Sequence, residues 1–267
     1  MYTPVPTGTV LDRILEARRA EVEHRKKVLP ETALKYGVAA AMSLRDFAAA
    51  LPRPGINILA ELKPASPSRG VIREPFDPVA LATSLESAGA AALSVLTEGE
   101  FFRGTLKNLR DARKSVQIPV LRKDFIFDPW QVWETRANDA DSFLLIVAAL
   151  TDNQLNELLA LGRELKMEPL VEVHTPAELD RALHAGAKII GVNNRNLKTM
   201  DVRVETSFEL IEKIPDDCIA VSESGIKSHA EIEKLHAAGF DAFLIGEQLM
   251  LAPEPSQALS ALLGVAP

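Results

Sequence analysis

The sequence of 267 residues is informative first for what it has little of. Its one cysteine, Cys218, excludes an internal disulfide and any cysteine-based zinc cluster. Aromatic residues make up only 5%, so Ala, Leu, Ile and Val must fill the core, as packing between helices and a parallel sheet requires. No apolar run approaches the roughly 20 residues of a membrane span, and the N-terminus lacks a signal-peptide core. A basic surplus is missing too. The net charge is −7 with a pI near 5.4, and no Lys/Arg block is long enough to follow a nucleic-acid backbone. The densest basic stretch, Arg18-Arg19 to Arg25-Lys26-Lys27, is interleaved with Glu16, Glu21 and Glu23 and reads as a solvated helix face. These absences predict a soluble cytoplasmic protein with no membrane or nucleic-acid partner. With no hydrophobic patch compelling a dimer, a monomer or weak homodimer is expected.

What is present is a repeated unit. The first 50 residues stand apart as a helical extension: Thr9 is an N-cap with Asp12 at the third helical position, and Val10, Leu11, Ile14, Leu15 and Val22 recur at helical spacing. A short second helix includes Leu44, Phe47, Ala48 and Leu51, stopped by Pro52 and Pro54. From about residue 55 the order strand, loop, amphipathic helix, turn recurs to residue 267. Ala88-Gly89-Ala90, Ala185-Gly186-Ala187 and Ala238-Gly239-Phe240 each end a helix before a buried strand, and Ala137-Asn138-Asp139-Ala140 does so without glycine. Asp77-Pro78, Asp128-Pro129 and Thr175-Pro176 mark helix starts, and Ser228 with Glu231 forms a capping box. Strands are predicted near 56–63, 91–97, 118–123, 142–148, 168–173, 188–193, 218–223 and 241–246. Eight βα units without an antiparallel segment argue for an α/β fold, a (β/α)8 TIM barrel carrying an N-terminal helical extension, in one domain over 1–267. An open doubly wound sheet would be expected to carry a glycine-rich fingerprint after its first strand, and none is there.

The ends of the strands carry the chemistry, because barrel enzymes build their sites at that face. In Ile56–Ser68 an apolar run ends in Glu61 and Lys63, both on the face of Leu59. The third strand ends in Lys123, on the face of Leu121. The fifth ends in Glu172, on that of Leu170, and the seventh in Glu223, on that of Val221. Any single charge could be a solvated terminus. Four odd-numbered strands agreeing is harder to assign to chance, since a charge facing a core is expensive. Lysines among carboxylates suit acid–base work rather than metal ligation, so no metal and no cofactor is expected. His174 lies two residues beyond Glu172, near the mouth, but all five histidines read as surface residues. Cys218 reads as a core residue at the opposite end. The sixth strand supplies Asn193 with Asn194 and Arg195, amides that can orient a substrate. Small residues after the seventh and eighth, Ser224-Gly225 and Gly246, offer backbone N–H groups to an anion, joined by the Ser66 and Ser68 hydroxyls. The partner is then a small phosphate ester.

These residues resemble one family, the indole-3-glycerol phosphate synthases. The carriers are Ala60-Glu61-Leu62-Lys63-Pro64-Ala65-Ser66-Pro67-Ser68, Leu121-Arg122-Lys123-Asp124-Phe125, Leu170-Val171-Glu172-Val173, Gly191 to Leu197, Ser222-Glu223-Ser224-Gly225-Ile226 and Leu244-Ile245-Gly246-Glu247. The resemblance spans nearly the whole chain. It implies a lyase of tryptophan biosynthesis that converts 1-(2-carboxyphenylamino)-1-deoxyribulose 5-phosphate to indole-3-glycerol phosphate, releasing CO2 and water. It implies Lys123 as general acid of ring closure, Glu172 as acid–base group of dehydration, and Lys63 on the substrate carboxylate. Glu61 and Glu223 would hold these groups, and Asn193 would fix the substrate. Phe102, Phe125, Leu144 and Leu197 would form the anilino-ring slot, with Arg195 and Ser224 as further contacts. Phosphate contacts carried over are Ser66, Gly225, Gly246 and Glu247, the last through its backbone with the side chain turned away. Two rivals stay open on the residues alone: a Schiff-base aldolase using Lys63 or Lys123, and a phosphate-binding barrel without catalysis.

Overall fold

A computed structural model describes residues 2–265. Eight parallel strands close into a barrel: β1 (Asn57–Leu62), β2 (Ala92–Leu96), β3 (Val120–Lys123), β4 (Ser142–Ile146), β5 (Leu170–Val173), β6 (Ile189–Asn193), β7 (Ile219–Glu223) and β8 (Ala242–Ile245). Each strand pairs with its neighbours in sequence, and β1 closes the ring against β8 with Asn57 opposite Ala242. Nearly every strand residue is buried, because one face meets the barrel interior and the other the helical shell. The predicted strands are matched to within a residue or two. In the fourth, the predicted end is taken up by a 3₁₀ turn, Val147–Ala149.

The helix starts and stops follow local chemistry. Asp77, Asp128, Thr175 and Ser228 each accept a backbone N–H of the first turn of α4 (Pro78–Ser87), α6 (Pro129–Ala137), α8 (Pro176–His184) and α10 (His229–Ala237). At the joins, Gly89, Gly186 and Gly239 take positive φ, and in the fourth Asp139 does so at 67°. A short-side-chain Asx residue tolerates that conformation, so a glycine was not required there. Among the described residues no helix is long and apolar enough to cross a membrane.

The extension comprises three helices: α1 (Val10–Val28), α2 (Glu31–Ala40) and α3 (Phe47–Ala50). Thr9 caps α1 as expected. The sequence reading missed α2, which starts after Pro30 without a side-chain cap and buries only Leu34. The reading of residues 18–27 as a solvated face is corrected. Arg18 is fully buried against Asp124 at 2.7 Å, Arg25 reaches Glu134 at 2.6 Å, and Lys26 reaches Asp128 at 2.7 Å. Charge alternation along a helix fits solvent and an oppositely charged protein surface equally well, so spacing alone could not separate the two.

Candidate active site

Inward-facing residues at the C-terminal ends of the strands surround a cavity of about 1220 Å³. Its wall includes Glu61, Lys63, Lys123, Glu172, Asn193 and Glu223. The alternation of strand side chains places each of them above an apolar inward layer. Lys123 Nζ lies 2.6 Å from Glu223 Oε2 and 3.1 Å from Glu172 Oε2, so it bridges β5 and β7 across the mouth. Lys63 Nζ pairs with Glu61 Oε1 at 2.6 Å. The predicted charged ring therefore forms. Its two lysines and three carboxylates all meet the cavity.

Glycines make room for those carboxylates. A Cβ at Gly191, opposite Glu172 and Val221 in the sheet, would overlap Glu223 Oε1. A Cβ at Gly246 would overlap the Glu61 carboxylate. Gly246 thus has a packing reason to be glycine besides its expected phosphate contact. The Glu223 Oε1 so accommodated is buried and has no hydrogen-bond partner.

The electrostatics follow from crowding in a low-dielectric mouth. Burial works against a charged Lys123, but Glu223, Glu172 and Glu61 outweigh it and push its pKa well above the usual lysine range. Burial also works against charge on Glu172, yet Lys123 and then His174 reverse that, and its pKa falls far below the carboxylate range. Glu223 goes the other way. Burial raises its pKa, Lys123 opposes the rise, and the Glu172 charge reinforces it. Two carboxylates on one lysine are thus driven apart, one held as a base and one inclined to hold a proton.

The expected apolar slot is also present. Phe102, Phe125, Leu144 and Leu197 line the cavity, and the Phe102 and Phe125 rings lie 5.8 Å apart between centroids. Three residues of the extension, Val10, Leu11 and Ile14, line it as well, so α1 forms part of the mouth rather than only bracing the barrel. Their helical spacing showed that they were buried, but not against what.

At the opposite rim, Ser66, Ser224, Gly225, Gly246 and Glu247 meet the same cavity. The Glu247 carboxylate pairs with Arg69 at 2.7 Å and lies 3.9 Å from Arg195. Arg69 was not anticipated, because a loop arginine carries no pattern. Asn193 Oδ1 accepts the Arg195 backbone N–H at 3.0 Å. Asn194 is buried with its amide on the Ser224 carbonyl at 3.0 Å, which ties the sixth loop to the seventh.

Two sequence readings change. His174 is not a surface residue: its side chain is 8% exposed, between Glu172 and Glu178. Cys218 is half-buried just before β7, at the end of the barrel away from the cavity, with its thiol against the Ala187 carbonyl.

Comparison with known proteins agrees with this geometry. In solved structures, 3-hexulose-6-phosphate synthase superposes with a TM-score of 0.63 at 13% identity over 79% of this chain and all of that one. Thiamine phosphate pyrophosphorylase from Pyrococcus furiosus superposes with a TM-score of 0.58 at 16% identity over 78% and 93%. These likenesses concern the barrel fold alone. By sequence, the chain is 50% identical to indole-3-glycerol phosphate synthase of Chlorobium chlorochromatii over 92% of this chain and 97% of that protein. It is 47% identical to those of Rhodococcus jostii, over 95% and 94%, and Syntrophobacter fumaroxidans, over 95% and 97%. The family profile described as indole-3-glycerol phosphate synthase matches residues 11–262. This chain accordingly belongs to the indole-3-glycerol phosphate synthase family, carboxy-lyases of tryptophan biosynthesis acting on a phosphorylated small molecule.

Proposed function

We propose that the charged ring divides the reaction among its members as follows. The substrate, 1-(2-carboxyphenylamino)-1-deoxyribulose 5-phosphate, lies with its anilino ring between Phe102, Phe125, Leu144 and Leu197. Its carboxylate faces Lys63. Its phosphate is at the rim of Ser66, Ser224, Gly225 and Gly246, with the Glu247 backbone N–H and with Arg195 beside it. The ring carbon bearing the carboxylate attacks the ketone, and Lys123 protonates the developing alkoxide. Loss of CO2 restores aromaticity. Glu172 then takes the ring proton as the hydroxyl leaves with a proton from a lysine of the ring. Glu61 and Glu223 hold the two lysines, and Asn193 holds the sugar chain.

One observation carries this assignment: Lys123 is a buried cation between two carboxylates whose pKa values are driven in opposite directions. That geometry sets a charged N–H donor at the cavity wall beside a carboxylate kept as a base. It counts against the Schiff-base rival, since a lysine held this firmly protonated is a poor nucleophile. A binding barrel without catalysis would have no need of the opposed carboxylates.

The test is to mix the purified protein with that substrate and follow indole fluorescence. Appearance of indole-3-glycerol phosphate, with no adduct trapped by borohydride, is expected. A trapped lysine adduct, or no indole product, overturns the assignment.

We further propose one domain of 267 residues acting in the cytoplasm as a monomer or weak homodimer. The extension packs its own Val10, Leu11 and Ile14 into the mouth. Sedimentation at working concentration should give a mass near the 29.1 kDa of one chain. A tight tetramer would contradict this.

A further inference from the structure

His174 touches the charged cluster without meeting the cavity. Neither His174 nor Glu178 belongs to the cavity wall. His174 follows β5, so its imidazole approaches Glu172 from behind. Nε2 lies 3.3 Å from Glu172 Oε1, and Nδ1 lies 3.1 Å from Glu178 Oε2. The same Glu178 oxygen accepts the His174 backbone N–H at 2.8 Å. Glu178 is itself the third residue of α8, anchored by the Thr175 cap. The ring is therefore gripped on its outer edge by a carboxylate that α8 holds in place.

Glu172 thus has two cationic neighbours of different kinds. Lys123 holds Oε2 from the substrate side and must turn to the substrate oxygen during ring closure. His174 faces Oε1 from the protein side, outside the cavity wall, as a 3.3 Å charge contact rather than an aligned hydrogen bond. Few other groups face the pair: Asn193 of β6 stands beside Glu172, Glu223 shares Lys123 with it, and Glu61 lies across the ring on Lys63. Burial disfavours a charged imidazole, but Glu172 and Glu178 outweigh it and push the ring up to about 10, so it is a cation at neutral pH.

We propose that His174, locked by Glu178, is a positioning residue that keeps Glu172 an oriented carboxylate while Lys123 is engaged by substrate. The proposal rests on reading Glu172 as the base of dehydration. It gives the Glu172–His174–Glu178 line a part that packing alone would not require, because an apolar side chain would fill the same space without burying charge.

The test is His174→Gln, which keeps a donor near Glu172 but removes the charge. The loss should fall on kcat with KM unchanged, and the acid limb of the kcat–pH profile should move up by about one unit, the low end of what one opposite charge contributes. Glu178→Gln leaves both partners in place and weakens the grip on the ring. It should instead bring the basic fall of kcat to lower pH. His174→Gln activity that is unchanged, or lower by one factor at every pH, overturns the proposal, as does a Glu178→Gln profile identical to wild type. Glu172→Gln separates the two readings. Near-normal turnover there removes Glu172 as the base, whereas abolished turnover with an unmoved His174→Gln profile removes only His174.

Discussion

Arg122 and Lys123 are consecutive residues of β3, point to opposite faces, and live in two contrasting ionic clusters. Arg122 faces outward into the helical shell and is wholly buried. Its guanidinium pairs with Asp124 at 2.8 Å and Glu134 at 2.9 Å, and donates to the Thr135 hydroxyl at 2.9 Å and the Gln131 carbonyl at 3.2 Å. Asp124 in turn accepts from Arg18, Thr97 and its neighbour Phe125. Lys123 faces inward, where one lysine lies between two carboxylates at the wall of the cavity. The outer cluster spends its charge on itself. The inner one keeps donors and acceptors turned to a cavity. Buried charge as such does not mark a site; buried charge turned to open space does.

The comparison can be broken at either cluster. Arg122→Met leaves Asp124 and Glu134 buried with fewer cations, and should cost about 3–5 kcal/mol of stability, the usual loss when one partner of a buried pair is removed. Denaturant unfolding should show the loss, while protein that stays folded should keep most of its turnover. Turnover abolished at unchanged stability would reverse the roles assigned to the two clusters. Gly191→Ala probes the inner cluster without touching a charge. The added methyl displaces Glu223, and misplacing the Lys123 partner should lower kcat on the order of a hundredfold, with the far-ultraviolet spectrum unchanged. Wild-type kcat would mean that Glu223 is not held as described.

Arg18→Met tests whether the outer cluster reaches the mouth through α1. The loss of a charged hydrogen bond should lower stability by about 1.5–3 kcal/mol. Because Val10, Leu11 and Ile14 of the same helix line the cavity, KM should rise more than kcat falls. The smallest effect expected is in acid. Burial raises the Asp124 pKa, but Arg18 and Arg122 overcome it and hold the carboxyl at about 2, below the ordinary 3.8. A depressed carboxyl stabilises the fold above its unfolded pKa and loses that contribution as pH falls through the folded one. Stability should therefore decline between about pH 4 and 2, and Arg18→Met should flatten that decline.

Much of this was legible in the sequence, and the reasons are local. The barrel was readable because each strand is a short apolar run and several helices are announced by Asp-Pro, Thr-Pro or a capping box. The inward ring was readable because strand alternation fixes which face Glu61, Lys123, Glu172 and Glu223 share. What stayed hidden depends on pairings between distant segments. Arg18 meets Asp124, 106 residues away, and nothing within α1 distinguishes it from the exposed Arg19 beside it. His174 lies just past the alternation that placed Glu172, and only the start of α8 turns its ring inward. Gly191 read as a strand glycine and Gly246 as a phosphate contact, and the carboxylate seated on each stayed hidden. Helix α2 had neither a cap nor a strong apolar stripe to announce it.

The inner cluster works on substrate while the outer one holds the barrel. Lys123→Ala measures this most directly, with turnover followed by indole fluorescence and phosphate-ester binding by calorimetry on the same preparation. Turnover should fall by about a hundred- to ten-thousand-fold, the range for removing a general acid, with binding of the phosphate ester still measurable. Turnover close to wild type would contradict the account.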